Sequence, residues 1–314
     1  MNRRLAVLAA GHGGAFTTTE AATCGYSTDA VRAFVRDGTW LRLRRATYTD
    51  RVAYLALDAL DRHIVDIQAA LLAFGRRVVV SHTSAVVLHD TATWAPDLSL
   101  VHLTRVDGGS PRICHGVQHH VGDLRDQEIT QVCGIPVVVP ERAIVEAAGL
   151  CSFEQAVVMA DHALHTGLVT RERLRAQVEA GRDWPGSRNT GAAVGFSDGR
   201  SESVGESRAR VLMYEEGLPE PELQKEIRDG RGRLVGRVDF FFPDHDTVIE
   251  FDGRVKYQGS GPDASDAVVR EKRREDDIRE TGKEVGRLDW GDLGHPAATA
   301  VRIRAAFARA RRRR

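Results

Sequence analysis

The sequence contains little cysteine, little lysine and no long apolar run. Its four cysteines are scattered, with neither a CxxC pair nor the spacing of a zinc site, so neither a disulfide framework nor a zinc finger is expected. No apolar stretch is long enough to cross a bilayer, and the apolar run at the N-terminus is too short for a signal peptide. These absences predict a cytoplasmic protein with reduced thiols and no membrane partner.

An excess of charge of either sign is also lacking, because 44 Lys and Arg residues balance 44 Asp and Glu residues. No global field therefore steers the chain toward nucleic acid, and phosphate binding must depend on local arginine clusters. The length of 314 residues is sufficient for two or three domains with their own cores. The sequence indicates no oligomeric state.

Two predicted strands near the C-terminus carry carboxylates within apolar runs. Residues 238–243 and 248–253 are rich in aromatic and β-branched side chains and are joined by a short polar turn. Because side chains alternate along a strand, Glu250 and Asp252 share one face, and Asp239 joins them if the strands pair. Clustered carboxylates repel one another unless a cation offsets the repulsion, and Mg²⁺ or Mn²⁺ suits oxygen ligands of this kind.

A plainer interpretation fits the same residues. Glu250 and Asp252 would be ordinary residues on the solvated face of a strand. Asp239 would form an ion pair with Arg237 or Arg254. Both interpretations stay open at the level of sequence.

The order of elements around these strands resembles restriction-endonuclease-like domains of the PD-(D/E)xK superfamily, with the greatest similarity to very-short-patch-repair endonucleases. The pattern is a helix bearing Glu206, a strand bearing Asp239 and a strand ending in Glu250-Phe251-Asp252-Gly253, and it covers residues 200–295. The resemblance implies Asp239, Glu250 and Glu206 as ligands of Mg²⁺ or Mn²⁺. It implies hydrolysis of a phosphodiester by a metal-activated water.

One departure from the superfamily pattern concerns its lysine. Asp252 stands where the pattern Asp…(Asp/Glu)-x-Lys has lysine, and Lys256 lies four residues further on. We expect Lys256 either to reach back and stabilise developing charge, completing a catalytic set with Asp252, or to be a surface loop residue. In the second case the domain binds DNA without cutting it.

Residues 1–50 have the pattern of a winged helix-turn-helix. Thr17 and Glu20 form a capping box that opens a second helix, and Ser27 caps a third helix. Residues 40–48 then predict a basic hairpin, the wing. In this class of domain the second helix of the pair enters the major groove of DNA and the wing contacts its backbone.

The predicted DNA contacts lie on the polar face of the third helix and in the wing. Arginines in these positions neutralise phosphates, and their contribution should decrease as salt rises. The alternative is a module that contacts protein, since a fold alone does not determine function. The candidate residues are Thr28, Arg32, Arg36, Arg42, Arg44 and Arg45.

The same stretch resembles the N-terminal domain of AbiEi-family antitoxins. The resemblance depends on residues 13–17, 25–27 and 38–48, with Ala46 where a glycine is usual in the wing. It implies repression through binding of the protein's own promoter DNA, together with a genetically linked toxin. The alternative to an endonuclease is therefore an antitoxin or transcriptional repressor with an inactive nuclease-like domain.

The sequence as a whole predicts an α+β multidomain protein. Its predicted parts are a winged helix-turn-helix (1–50), an antitoxin-like mixed α/β middle domain (51–180), a linker (181–202) and a restriction-endonuclease-like α/β core (203–314). A small-molecule enzyme in the middle domain would need a deep pocket between residues 78 and 140. The histidines there have no ligand spacing and are expected to be scattered: His82, His89, His102, His115, His119 and His120.

Overall fold

The computed structural model describes residues 1–253 and 272–313. Its contacts divide the chain into two compact units. The first unit contains Met1–Met159 and Val169–Val194, and the second contains Ala160–Leu168 and Gly195–Arg314.

The first unit begins with three helices and a small sheet whose strands lie in the order β1-β3-β2. The capping box of Thr17 and Glu20 and the Ser27 cap are both present, because these hydrogen bonds are local in sequence. Aromatic rings fill the centre, where Phe16 and Trp40 meet edge to face with centroids 4.8 Å apart. The elements are α1 (Arg3–Ala10), β1 (Ala15–Thr17), α2 (Thr18–Thr23), α3 (Thr28–Arg36), β2 (Trp40–Arg44) and β3 (Thr47–Asp50).

The rest of the first unit is built on a sheet with the strand order β6-β7-β5-β4-β9-β8. Ala15 of β1 packs against Val65 and Ala69, so the boundary predicted after residue 50 falls inside one compact unit. The elements are α4 (Arg51–Ala56), α5 (Ala59–Phe74), β4 (Val78–Val80), α6 (His82–Leu88), β5 (Val101–Arg105), β6 (Arg112–Cys114), β7 (Val117–Val121), β8 (Ile129–Val132), β9 (Ile135–Val138), α7 (Pro140–Ala148), the part of α8 (Phe153–His165) up to Met159, and α9 (Arg171–Ala180).

Part of the stretch predicted as a linker, 181–202, is helical. Residues Ser187–Phe196 form helix α10, with Thr190, Ala193 and Val194 buried. The amide of Asn189 donates hydrogen bonds to two backbone carbonyls of the preceding segment, at 2.8 and 3.0 Å.

The second unit carries a sheet whose described strands lie in the order β10-β11-β12-β13. The first two pairings are antiparallel, and β12 pairs with β13 in parallel. The elements are α11 (Val204–Glu215), β10 (Glu222–Arg228), β11 (Leu234–Phe242), β12 (Thr247–Phe251), α12 (described over 272–280), β13 (Glu284–Leu288), α13 (Trp290–Leu293) and α14 (Pro296–Arg313).

Both faces of this second sheet are covered by apolar side chains. Phe240 and Ile249 belong to one cluster, which also contains residues of α11 and α14. Phe241 and Val248 belong to another, which contains Ile278 of α12. The mixed α+β class predicted from sequence is thereby confirmed. Within residues 1–253 and 272–313, no helix has the length and apolar character needed to cross a bilayer.

Candidate nucleic-acid interface and carboxylate cluster

Helix α3 has one apolar face and one polar face. Its start is set by Ser27, whose Oγ accepts a hydrogen bond from the backbone of Ala30 at 3.1 Å. Val31 is buried in the N-terminal core, whereas the three predicted DNA contacts of this helix are exposed. Those contacts are Thr28, Arg32 and Arg36.

The hairpin of β2 and β3 carries the predicted wing contacts. Arg42 and Arg45 are exposed, so their guanidinium groups are accessible from solvent. Ala46, at the turn between the strands, has a φ of 58°. This is the left-handed region, which explains why glycine is favoured at this position.

Arg44 does not join that exposed set. Its side chain is half-buried and donates a hydrogen bond to the backbone carbonyl of His115. Burial lowers the pKa of its guanidinium, although Asp66 opposes the shift. Arg44 therefore lies outside the exposed wing surface, because a register shift between Arg42 and Arg44 interrupts the alternation of side chains along β2.

The second candidate site lies where β11 and β12 pair. Phe240 pairs with Ile249, so the same register places Asp239 opposite Glu250. The backbone N–H of Phe251 donates to Asp239 Oδ2 at 2.8 Å. Burial raises the pKa of the Asp239 carboxyl, and this backbone hydrogen bond opposes the shift.

Gln224 connects the carboxylate of Asp239 to that of Glu206. Its Nε2 lies 2.9 Å from Glu206 Oε2 and 3.4 Å from Asp239 Oδ1. Burial raises the pKa of Glu206, and the nearby charge of Asp239 raises it further. Gln224 has a φ of 51°, an unusual backbone conformation for a non-glycine residue. In the sequence, Gln224 is distinguished only as a polar side chain in the preceding strand.

Glu250 forms an ion pair with an arginine of α12, the helix described over residues 272–280. Nη2 of Arg274 lies 2.6 Å from Glu250 Oε1, and Nη2 of Arg287 lies 3.9 Å from Oε2. The side chain of Glu250 is only 9% exposed, so the interpretation of this residue as part of a solvated strand face is wrong. The two arginines supply the positive charge that compensates the buried carboxylate.

The other predicted members of the cluster have different positions. Arg237 forms an ion pair with Glu202 at 2.8 Å, rather than with Asp239. Asp252 is partly buried, and its backbone N–H donates to the carbonyl of Leu288 at 2.7 Å. Lys256 and Arg254 lie outside the described residues.

Asp239, Glu250 and Asp252 line one cavity of about 280 Å³, together with Arg274 and Arg287. Glu206 is connected to this cavity through Gln224. Within the described ranges, no group of three or more His, Cys, Asp or Glu side chains is arranged to hold a metal ion. A metal ion at this cavity would have to compete with Arg274 for the carboxylate of Glu250.

Three histidines of the middle region come together, contrary to the expectation that they are scattered. The ring of His82 stacks on His120 with centroids 3.5 Å apart, and His102 Nδ1 lies 2.9 Å from His120 Nε2. His119 points to the opposite face of the strand, where its ring meets Phe74. Long-range pairing of β5 with β7 creates this cluster, so sequence spacing gave no signal of it.

Similarity to known proteins is limited in extent. The chain is 30% identical over 184 residues to two curated relatives, "Uncharacterized protein MT2308" from Mycobacterium tuberculosis (strain CDC 1551 / Oshkosh) and "Uncharacterized protein Rv2248" from Mycobacterium tuberculosis (strain ATCC 25618 / H37Rv). Each match covers 58% of this chain and 66% of the relative. The chain thus spans just under two thirds of the length of these relatives.

A solved structure, "Crystal structure of RV2827C protein from Mycobacterium tuberculosis", is also similar, with 14% identity and a TM-score of 0.40. That match covers 62% of this chain and 80% of the other, and it is too distant to support an inference about function. Residues 3–49 match the family model described as "Transcriptional regulator, AbiEi antitoxin", which confirms the resemblance predicted for the N-terminal region and supports a DNA-binding regulator there.

Proposed function

We propose that this protein is a transcriptional regulator of the AbiEi antitoxin type that binds promoter DNA through α3 and the wing. The observation that carries the proposal is the division of α3, whose apolar side is buried while Thr28, Arg32 and Arg36 are exposed. A helix held by its apolar side and exposing polar and basic residues suits insertion into the major groove.

The wing extends this basic surface. Arg42 and Arg45 follow α3 in the sequence and belong to the same small domain. Both side chains are exposed. Because the chain has no net charge, we attribute phosphate binding to these local arginines rather than to a global field. A genetically linked toxin is the partner that this function implies.

The proposal is tested by fluorescence anisotropy on a duplex from the region upstream of the protein's own gene and on an unrelated duplex of equal length. We expect tighter binding to the upstream duplex. Arg32→Ala should weaken binding, whereas Arg182→Ala should not. The two arginines are matched, since both side chains are 69% exposed and both pair with an acid three residues away. Equal weakening by both variants, or no binding by the wild type, would overturn the proposal.

We propose metal-dependent phosphodiester hydrolysis as a second candidate function, in a restriction-endonuclease-like second unit. The observation that favours it is the pair of carboxylates held by one amide group of Gln224, the buried Glu206 and the half-buried Asp239. The cavity beside Asp239 also contains Glu250 and Asp252, the other acidic residues of the proposed catalytic set. We also assign Lys256 to this proposed catalytic set.

Mg²⁺ or Mn²⁺ binding would require Arg274 to release Glu250, because that ion pair occupies the carboxylate at 2.6 Å. Arg274→Ala is therefore expected to increase Mn²⁺ affinity, measured by titration calorimetry on the full chain. Asp239→Asn should abolish that gain. If the Mn²⁺ affinity of Arg274→Ala equals that of the wild type, the proposed metal site is ruled out.

A plasmid-nicking assay with Mg²⁺ or Mn²⁺ tests hydrolysis itself. We expect nicking by the wild type and by Asp183→Asn, whose carboxylate is exposed and distant in sequence. We expect none by Asp239→Asn. Equal nicking by all three proteins, or none by any, would overturn the hydrolytic proposal and leave DNA-dependent regulation intact.

A further inference from the structure

One face of the large sheet in the first unit carries polar side chains where apolar ones are the rule. On β5 these are His102 and Thr104, and on β7 they are Gln118 and His120. The parallel register pairs His102 with Gln118 and Thr104 with His120, so the four side chains form a compact block. His82 of α6 stacks on this block from the helix side.

A cavity of about 570 Å³ opens against this block. Small-molecule sites commonly have volumes of roughly 300–1,000 Å³ and combine apolar walls with a few polar groups. The walls here include Val145, Val178 and Trp184, and the polar groups include Thr104, Gln118, His82 and His120. A smaller cavity of about 300 Å³ shares Gln118 in its lining and also contains His102.

Thr104 gives an independent sign that a ligand belongs in this cavity. The residue is only 2% exposed, and its hydroxyl oxygen has no hydrogen-bond partner among the described residues. Leaving a buried polar atom unpaired costs about 1–3 kcal/mol. A ligand with a complementary polar atom would remove that cost once the side chain of Thr104, which lines the cavity, turns its hydroxyl toward it.

The buried cation beside the cavity is already paired, whereas Arg112 of the lining is exposed. The guanidinium of Arg142 is buried, lies 2.8 Å from both Glu128 and Glu146, and sits over the ring of Trp184. Because burial lowers the pKa of His102 and of His120 to about 4, these rings are neutral near pH 7. A deeply bound phosphate would therefore meet no unpaired buried cation among these groups, whereas a neutral ligand would find donors and acceptors.

We propose that this cavity binds a neutral planar nitrogen heterocycle, of the nucleobase or nucleoside class. The stacked rings of His82 and His120, together with Trp184, offer aromatic surfaces for a planar molecule. Thr104 and Gln118 offer hydrogen bonds to its polar edge. This site is separate from the α3 surface, and its occupation does not depend on DNA binding by that surface.

The probes are adenosine, guanosine, cytidine and thymidine, with adenosine monophosphate as the charged comparison, titrated calorimetrically into the full chain. We expect at least one nucleoside to bind with a Kd below about 1 mM. We expect Thr104→Val and His120→Phe each to weaken that binding at least about tenfold, a change of about 1.4 kcal/mol. Thr130→Val, the same substitution on β8 outside the cavity lining, should leave binding unchanged.

Thr104→Val should fold normally, because the hydroxyl that it removes has no partner to lose. Circular dichroism and thermal unfolding check this point, and the bound nucleoside should raise the Tm of the wild type but not that of Thr104→Val. Three results would overturn the proposal: no binding of any nucleoside, equal binding by Thr104→Val, or tighter binding of the monophosphate than of adenosine. Stabilisation by Zn²⁺ alone, without any nucleoside effect, would overturn it as well.

Discussion

Arg44 of the wing donates a hydrogen bond from Nη1 to the backbone carbonyl of His115, 71 positions along the chain. This contact predicts different roles for two neighbouring arginines. Arg44→Ala should lower the free energy of unfolding by about 1–3 kcal/mol, since it removes a half-buried side chain and its hydrogen bond. Arg45→Ala should change stability by less than about 0.5 kcal/mol, because Arg45 is exposed.

Urea unfolding measures the stability of both variants, and anisotropy at several salt concentrations measures their DNA binding. Arg45→Ala should reduce the slope of log Kd against log salt by about one unit, and Arg44→Ala should leave it unchanged. The opposite pattern, with a flatter slope for Arg44→Ala and no loss of stability, would make Arg44 a phosphate contact.

Ala46→Gly is expected to stabilise the first unit. A non-glycine residue in the left-handed region costs about 1–2 kcal/mol, and the greater flexibility of glycine in the unfolded chain offsets only part of that gain. We expect a gain of up to about 1 kcal/mol in urea unfolding. Ala33→Gly is the matched control, because this exposed position in α3 should lose about 0.5–1 kcal/mol. A loss in both variants would contradict the conformation described for the wing.

The histidine cluster predicts that stability falls in mild acid. Burial lowers the pKa of His102 and His120 to about 4 and that of His82 well below its usual value. Unfolded histidine titrates near pH 6.5. Between about pH 6.5 and 4 the unfolded chain therefore binds more protons, and the free energy of unfolding decreases as pH falls. Glu146 opposes the trend at the acid end, because burial raises its pKa.

Urea unfolding at pH 7.5, 6.5 and 5.5 checks this prediction. Each histidine that takes up a proton only on unfolding contributes a slope of about 1.4 kcal/mol per pH unit. His120→Asn should give a shallower dependence than the wild type. His295→Asn replaces an exposed histidine and should leave the pH dependence of stability as in the wild type. Parallel profiles for all three proteins would show that the cluster is not buried in its neutral form.

Arg210 and Asp161 form a buried ion pair in the second unit, with Nη1 2.7 Å from Oδ2. Removing the arginine leaves an uncompensated carboxylate that is fully buried. Arg210→Met should therefore lower the stability of this unit by about 3–5 kcal/mol. Arg200→Met, which disrupts the exposed pair with Asp198, should cost less than about 1 kcal/mol. Similar losses in both variants, measured by guanidinium unfolding, would contradict the buried geometry.

Features set by neighbouring residues were predictable from the sequence. The Ser27 and Ser203 caps mark helix starts, because each side chain bonds a backbone N–H three positions away. The period of two along a strand, with the register of β11 and β12, was enough to bring Asp239 opposite Glu250. The turn between β6 and β7 is likewise local, since His115 and Gly116 both have positive φ there.

Features that depend on distant parts of the chain were not predictable. Nothing near Glu250 in sequence indicates that Arg274 neutralises it, because α12 brings the two residues together across the second sheet. Gln224, which has a positive φ, contacts two carboxylates that lie 18 and 15 positions away in the chain. The histidine block likewise requires the pairing of β5 with β7, two strands that are not consecutive in the chain.

The salt dependence of DNA affinity tests the proposed DNA-binding surface most directly. The measurement compares the wild-type protein with a variant in which alanine replaces four arginines: Arg32, Arg36, Arg42 and Arg45. Affinity for the upstream duplex is measured between about 50 and 200 mM salt, because phosphate contacts change affinity by orders of magnitude over this range. We predict a flatter slope for the variant, by roughly one unit for each arginine that contacts phosphate, with unchanged thermal unfolding. Identical slopes for two equally stable proteins would mean that α3 and the wing do not bind DNA.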